Sequence, residues 1–226
     1  MSLAAHEVTR EQPDRPHPQQ PRPVFIVVMG VSGTGKSTLG RALAARLNVP
    51  YIEGDDLHPA TNVAKMSAGI PLTDADREPW LALIRATAER ITLSQERHRE
   101  GEQGRPPGVV ISSSALKRYY RDILRGKRVV GGKAEEERDG EEEKLRTYFV
   151  FIEGPREVLL DRMEKRPGHF MKATMLDSQL NTLESPAGEE GVVVVSVEES
   201  TEEQVRKAIE GLKRLGAGDV LEGVGD

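Results

Sequence analysis

The sequence predicts an α/β protein whose five-stranded, mostly parallel sheet has helices on both faces. Five short runs rich in β-branched and other apolar residues alternate with helical patterns along the 226 residues. The first and last runs are almost entirely apolar, which is typical of strands covered by helices on both sides. The predicted strands span residues 24–29, 49–53, 109–113, 148–153 and 192–197.

Amphipathic helices are predicted between these strands. The helix after the first strand repeats leucine at i, i+4 and i+8, at Leu39, Leu43 and Leu47. Asn48 is expected to end it. A second helix is predicted around residues 80–91, a third over residues 115–125 with Gly126 closing it, and another after Pro155.

The last predicted helix has the clearest boundaries. Ser200 and Glu203 have the spacing of a capping box, which satisfies free amides at a helix start. An apolar stripe follows, and Gly216 is expected to end the helix. We expect this helix to pack on the sheet.

Composition limits the class of protein. Hydrophobic residues make up 37% of the chain, enough for a core, and the absence of Cys excludes a small disulfide-stapled fold. The apolar run at residues 24–29 is far shorter than the ~20 residues of a membrane-spanning helix, and the N-terminal region carries Pro and charge where a signal peptide is apolar. The net charge is −5, from 32 basic and 37 acidic residues. We therefore expect a cytoplasmic protein with no membrane and no nucleic-acid partner.

One domain is predicted, over residues 24–216. Residues 1–23 are rich in Pro and are expected to form a disordered tail, because their acidic residues disfavour the alternative of a mitochondrial presequence. Residues 217–226 form a C-terminal tail. Polar and charged stretches near residues 97–108 and 127–146 are interpreted as surface insertions, since neither has the apolar residues for a core of its own.

The strongest motif fits the P-loop pattern GxxxxGK[ST] and lies between a buried strand and an amphipathic helix. It comprises Gly30, Val31, Ser32, Gly33, Thr34, Gly35, Lys36, Ser37 and Thr38. Its glycines let backbone amides surround phosphate oxygens, and the helix start favours the same anion. Lys36 would contact the β- and γ-phosphates of ATP, and the Ser37 hydroxyl would bind Mg²⁺. A tight glycine turn with an exposed lysine is the simpler alternative.

A small-molecule kinase fits the remaining sequence better than a GTPase or motor does. The chain has no guanine-recognition signature and no length for coupling elements. Asp55 follows the second strand at the sheet edge where open α/β sheets bind ligands, so it is a candidate base for a substrate hydroxyl. Asp56 is expected to point elsewhere by strand alternation. An ordinary strand-end turn is the alternative for this stretch.

Three further motifs resemble the gluconokinase family. Residues 54–81 fit GDDLHPxxNxxKMxxGxPLTDxDRxPWL, residues 114–122 read SALKRYYRD, and residues 168–172 read GHFMK. With the P-loop, the resemblance extends from about Val24 to the last helix. It implies phosphorylation of D-gluconate by ATP to 6-phospho-D-gluconate, which feeds the pentose phosphate pathway. It also implies a shikimate-kinase-like fold with a mobile lid, and Mg²⁺ as the metal; homodimers occur in the family.

The resemblance also implies site residues. Those expected to act in catalysis are Lys36, Asp55, Arg162 and Arg166. Those expected to bind substrate are Asp55, His58, Lys65, Arg77, Lys117, Arg121, His169 and Gln179. Because arginine grips a carboxylate with two parallel hydrogen bonds, we assign the substrate carboxylate mainly to Arg121 or Arg77, with Lys117 assisting.

The lid is predicted from basic residues near a chain breaker. Arg162 and Arg166 are four residues apart and share a helix face, and a Pro-Gly pair follows. Such arginines would neutralise charge on the transferred phosphoryl group. A solvated helix face is the alternative for them. For the whole chain, the alternatives are a shikimate- or adenylylsulfate-kinase-like enzyme and a non-catalytic ATP-binding regulator.

Overall fold

The fold was determined from a computed structural model, which describes residues 22–98, 107–128, 130, 145–165 and 173–218. The predicted site residues Arg166 and His169 lie outside these ranges. So do almost all of the expected N-terminal tail and most of both expected insertions.

The five strands form a single parallel sheet in the order β2-β3-β1-β4-β5. Their bounds are β1 Val24–Met29, β2 Tyr51–Ile52, β3 Gly108–Ser113, β4 Arg146–Glu153 and β5 Val192–Ser196. All four neighbouring pairs are parallel, which confirms the predicted fold class. The carboxyl ends of the strands therefore meet at one edge of the sheet, and β1 lies in the middle.

Seven α-helices connect and cover the strands within the described residues. They are α1 Lys36–Leu47, α2 Ala60–Ser67, α3 Asp74–His98, α4 Arg118–Arg125, α5 Arg156–Lys165, α6 Ala173–Thr182 and α7 Thr201–Leu212. A short 3₁₀ turn spans Gly54–Leu57, and a π turn spans Lys213–Ala217. The sequence analysis did not predict α2 or α6.

The core lies on both sides of the sheet. All six residues of β1 are buried, and because successive side chains of a strand point to opposite faces, helices must cover both faces. α1 packs against α7, and α3 packs against α4. No helix in the described ranges combines the length and the apolarity needed to cross a membrane.

Helix ends agree with the sequence at some points and differ at others. α3 extends beyond the predicted 80–91 at both ends, and α7 ends at Leu212, before the expected Gly216. Asn48 and Gly126 end α1 and α4 in the left-handed conformation, and the Ser200 hydroxyl accepts a hydrogen bond from the Glu203 amide at 3.2 Å. The third predicted helix, however, begins at Arg118 and not at residue 115. Ala115 has a φ of 42°, which no α-helix accommodates.

Candidate active site

The P-loop connects β1 to α1 and is open to an anion. Gly33 and Gly35 have φ values of 82° and 90°, a left-handed conformation that glycine adopts without strain. A Cβ on Gly33 would lie 2.9 Å from Cγ of Met163, so α5 rests directly on the loop. The first turn of α1 has no side-chain cap and no acidic residue. The positive end of the helix dipole therefore favours binding of phosphate at the loop.

Lys36 and Ser37 follow the loop at the start of α1. The Lys36 ammonium donates to the Val31 carbonyl at 3.0 Å and also interacts electrostatically with Glu53. The Ser37 hydroxyl hydrogen-bonds to the Glu53 carboxylate. Both predicted residues therefore meet a carboxylate at the end of β2.

Glu53 is a candidate site residue that the sequence analysis missed. Its carboxylate accepts hydrogen bonds from the hydroxyls of Tyr51, at 2.8 Å, and Ser112. Burial alone would raise the pKa of Glu53, but the hydrogen bonds from Ser112, Ser37 and Tyr51 outweigh it, so the pKa lies below its ordinary value. A signal was available, because Glu53 ends the predicted second strand.

The Ser37 hydroxyl and the Glu53 carboxylate form a donor set that suits Mg²⁺. Mg²⁺ prefers hard oxygen ligands and usually takes only one or two from the protein, with substrate phosphates and water completing its shell. No group of three or more His, Cys, Asp or Glu side chains arranged to hold a metal was found in the described part of the chain. Ser37 and Glu53 are therefore suited to a Mg²⁺ ion that binds together with the nucleotide, whose phosphates supply further ligands.

The turn that carries Asp55 is packed tightly against β3. A Cβ on Gly54 would lie 1.9 Å from the Ser112 carbonyl oxygen, so only glycine fits there. The Gly54 amide donates to the Ser112 hydroxyl at 3.1 Å, and the Trp80 indole donates to the Gly54 carbonyl at 2.8 Å. Asp55 and Asp56 both lie in this 3₁₀ turn and are exposed. Strand alternation was therefore the wrong argument for separating them.

His58 lies between charges that the sequence analysis assigned to the site. Its ring stacks on Trp80 with centroids 4.0 Å apart, and it interacts electrostatically with Asp55 and Arg77. Burial is the main reason that the pKa of His58 lies below its ordinary value, so the ring is neutral near pH 7. Asn62 Nδ2 donates to the Asp76 carbonyl and lies 3.3 Å from His58 Nδ1. This makes Nδ1 an acceptor and leaves Nε2–H as a donor.

Lys65 has a partner of its own in the structure. Its ammonium lies 2.6 Å from one oxygen of Asp76 and 2.8 Å from the other. The hydrogen bond from Lys65, helped by those from Thr73, lowers the pKa of Asp76 to about 2. Lys65 thus ties α2 to the start of α3. Its predicted contact with substrate stays a prediction.

Arg77 and Lys117 lie in one polar cluster at the junction of α3 and α4. The Lys117 ammonium contacts both carboxylate oxygens of Asp74, at 2.8 and 2.9 Å. The Tyr120 hydroxyl donates to the same carboxylate. Arg77 donates to the Leu72 carbonyl at 2.5 Å and lies 3.5 Å from the Tyr120 hydroxyl. The two predicted cations are therefore brought together.

Arg121 does not join them. Its side chain has no exposed surface, and all five of its N–H groups are used inside the protein. Two donate to the Glu189 carboxylate, two to the carbonyls of Ala115 and Leu116, and one to the carbonyl of Glu184. The structure therefore contradicts the prediction that Arg121 binds the substrate carboxylate. Lys117, which was expected to assist Arg121, precedes helix α4, whereas Arg121 lies on the buried side of that helix.

Arg162 and Gln179 lie in α5 and α6, the helices that precede and follow the predicted lid in the sequence. Arg162 in α5 donates to the Val197 carbonyl at 2.6 Å, and its side chain is otherwise exposed. The Gln179 carboxamide oxygen in α6 accepts from the Ser32 amide of the P-loop at 2.7 Å. α5, through Met163, and α6, through Gln179, therefore both contact the phosphate loop.

Known proteins resemble this chain over most of its length. A family model described as an AAA domain matches residues 26–184. A gluconokinase of Gluconobacter oxydans is 46% identical over 177 residues, which cover 78% of this chain and 84% of that protein. A solved gluconokinase structure from Sinorhizobium meliloti is 44% identical, covers 90% of this chain and 99% of its own, and superposes with a TM-score of 0.67.

A more distant structure shows how widely the fold is shared. An APS kinase of Mycobacterium tuberculosis is 16% identical, with a TM-score of 0.52 over 85% of this chain and 99% of that one. That likeness is one of fold alone. The much higher identity of the first two matches, over nearly the full domain, shows that this chain belongs to the gluconokinase family.

Proposed function

We propose that this protein transfers the γ-phosphoryl group of ATP to the 6-hydroxyl of D-gluconate, giving ADP and 6-phospho-D-gluconate. The observation that carries the proposal is that the phosphate-binding segment and the turn with Asp55 meet at the carboxyl edge of the sheet. There Glu53 hydrogen-bonds to Ser37 of the phosphate-binding segment and directly precedes the turn with Asp55. A nucleotide site and a candidate base for an alcohol thus adjoin.

The nucleotide would be held by the P-loop. Backbone amides of the loop and the uncapped start of α1 would bind the β- and γ-phosphates. Lys36 would follow the γ-phosphate as a mobile point charge. Mg²⁺ would be held by Ser37 and Glu53, and when bound it neutralises charge that develops on the phosphates.

The sugar acid would lie between Asp55 and the cations of α3 and α4. Asp55 would accept the proton of the 6-hydroxyl as its oxygen forms a bond to the γ-phosphorus and the bond to the β-phosphate oxygen breaks. His58, through Nε2–H, would donate to a hydroxyl of the chain. Arg77 and Lys117 would bind the carboxylate.

The lid would exclude water during transfer. Arg162 and Arg166 would add positive charge near the transferred group, and His169 and Gln179 would support the closed arrangement. The contact between Gln179 and the Ser32 amide supports this role, because it connects α6 to the phosphate loop. Closure protects the phosphoryl group from hydrolysis.

The proposed reaction supplies 6-phospho-D-gluconate to the pentose phosphate pathway. It would take place in the cytoplasm, where ATP is abundant and where that pathway consumes the product. Homodimers are implied by the family resemblance alone. The oligomeric state therefore stays a prediction, separate from the proposed reaction.

A coupled assay of ADP release tests the proposal. Purified enzyme with ATP and Mg²⁺ is supplied in turn with D-gluconate, shikimate, glycerate and adenylylsulfate. Of the four acceptors, we expect only D-gluconate to support turnover, and ³¹P NMR should show a product phosphorylated at C6. Lys36→Ala should abolish this turnover. Absence of gluconate-dependent ADP release from folded, nucleotide-binding enzyme would refute the proposal.

A further inference from the structure

Asp74 contacts the cation Lys117 directly and is connected to a second cation, Arg77, through the Tyr120 hydroxyl. It begins α3, whereas Lys117 immediately precedes α4, and 43 positions separate them. The carboxylate accepts both contacts from Lys117 and the hydrogen bond from Tyr120. Tyr120 in turn lies within hydrogen-bonding distance of Arg77, at 3.5 Å. We call these four residues the Asp74 cluster.

The charged side chains of the cluster are partly exposed to solvent, unlike those of a fully buried ion pair. Tyr120 is buried, but the side chains of Lys117 and Asp74 are 27% and 45% exposed. Its charged groups therefore lie where a solute can reach them, while the phenol that connects them is held in the core. Burial and the hydrogen bond to Asp74 raise the pKa of Tyr120, so the ring stays a neutral donor.

A cationic side chain that is already fixed in position loses less conformational entropy when it binds a carboxylate. A lysine side chain carries about 2 kcal/mol of rotamer entropy, part of which is lost when the ammonium is fixed on a ligand. A partner that fixes the ammonium beforehand removes that cost from binding. Within the cluster, two cations and one carboxylate leave a net charge of +1, which matches a substrate with a single carboxylate.

We propose that Asp74 is a positioning residue for the sugar-acid site, and that with the Tyr120 hydroxyl it holds Lys117 and Arg77 where they receive the carboxylate of the substrate. The inference rests on the proposed function for the identity of the substrate. It adds a requirement for two residues that the sequence analysis did not assign. Neither of them would touch the reacting atoms.

The test compares Asp74→Asn with unaltered enzyme in steady-state kinetics. Loss of a charge-assisted hydrogen bond should raise KM for D-gluconate about ten- to a hundredfold. KM for ATP should stay within about twofold, and kcat should fall less than KM rises, because the hydroxyl end and the nucleotide site are intact. Asp74→Glu, which keeps the carboxylate, should recover part of the loss. Calorimetric titration of D-gluconate without ATP should show the same loss of affinity.

Tyr120→Phe provides a second variant in case Asp74→Asn folds poorly. It removes only the connecting hydroxyl, and we expect a smaller rise in the gluconate KM, about three- to tenfold. Glu210→Gln is the matched control, because it breaks an exposed ion pair with Arg206 in α7 and should change no kinetic constant.

Three outcomes would overturn the inference while the unaltered enzyme turns over D-gluconate. They are an unchanged gluconate KM in both variants, a lower gluconate KM in Asp74→Asn, and a fall in kcat alone. A lower KM would mean that Asp74 competes with the substrate for Lys117. Absence of turnover by the unaltered enzyme would instead overturn the proposed function and this inference with it.

Discussion

The guanidinium of Arg121 and the carboxylate of Glu189 form a two-pronged ion pair, with N–O distances of 2.5 and 3.0 Å. Arg121 is fully buried, and its other donors bind the carbonyls around the left-handed turn at Ala115. That turn directly precedes Lys117. The ion pair therefore supports the backbone that presents Lys117 to the Asp74 cluster.

Removing the carboxylate should destabilise the fold. In Glu189→Gln, Arg121 keeps its charge in the interior but loses its counterion. Breaking a buried ion pair in this way costs about 3–5 kcal/mol, and we expect the free energy of unfolding to fall toward the lower end of that range because Glu189 is partly exposed. Urea denaturation followed by circular dichroism measures the change.

The neighbouring residue serves as the control for that experiment. Glu190 is exposed, and Glu190→Gln should alter the free energy of unfolding by less than about 0.5 kcal/mol. Equal losses in the two variants would show that the pairing with Arg121 is unimportant and that the segment merely tolerates substitution badly.

The contribution of Glu189 should depend on pH. Burial raises its pKa, but the hydrogen bonds from Arg121 and Arg125 outweigh this, so the pKa in the folded protein lies below the ordinary value of 4.5. A carboxyl with a lowered pKa stabilises the fold fully above its unfolded pKa, and the benefit is lost as the pH falls through the folded pKa. The stability gap between unaltered protein and Glu189→Gln should be constant above about pH 5 and should narrow below about pH 4. A gap that stays constant down to about pH 2 would contradict this.

The sequence was sufficient for the parts of the fold that bury continuous apolar patterns. β1 has the bounds that were predicted, because all six of its residues are buried. α2 and α6 were missed for the opposite reason. Each buries only one residue, Asn62 in α2 and Leu176 in α6, so neither shows an apolar stripe.

The candidate site was predictable where a sequence motif determines the backbone conformation. It was less predictable where a side chain pairs with a residue that is distant in the sequence. The P-loop belongs to the first kind. Arg121 belongs to the second, since its partner Glu189 lies 68 positions away and helical spacing does not tell which face is buried. Asp74 is of the second kind too, since its partner Lys117 lies 43 positions away in the sequence.

Asp55 and Asp56 offer a direct test of the proposed base. Both are exposed in the same 3₁₀ turn, so Asp55→Asn and Asp56→Asn perturb the backbone alike. General-base catalysis contributes about 10²–10⁴-fold, and we expect kcat to fall by that amount in Asp55→Asn and to change less than about threefold in Asp56→Asn. Stopped assays of gluconate phosphorylation measure both, and similar losses in the two variants would argue against Asp55 as the base.

Ser112 and Ser113 should respond oppositely to the same substitution. Ser113 has the only buried side-chain oxygen or nitrogen without a hydrogen-bond partner in the ranges that the structure describes. Removing an unsatisfied hydroxyl should raise the free energy of unfolding by about 1 kcal/mol in Ser113→Ala, and Tm by about 2–4 °C. The Ser112 hydroxyl bonds to Gly54, Tyr51 and Glu53, so Ser112→Ala should lower Tm. Differential scanning calorimetry decides, and a lower Tm in both variants would contradict the expectation for Ser113.

The contact between Gln179 and the Ser32 amide yields the last prediction. Gln179→Glu keeps an oxygen that can accept from that amide but adds negative charge beside the phosphate loop, whereas Gln179→Ala removes the contact without adding charge. If ATP phosphates bind in this loop, repulsion by a partly buried carboxylate should raise KM for ATP about tenfold or more in Gln179→Glu, and the loss of one hydrogen bond should raise it only about threefold in Gln179→Ala. Asp177 lies in α6, the helix of Gln179, and forms an exposed ion pair with Arg156 of α5. Asp177→Asn breaks that pair, so it is the control and should leave KM for ATP unchanged. Equal effects of the two Gln179 variants would mean that the side chain only packs α6 against the loop, and that its carboxamide does not lie near the phosphates.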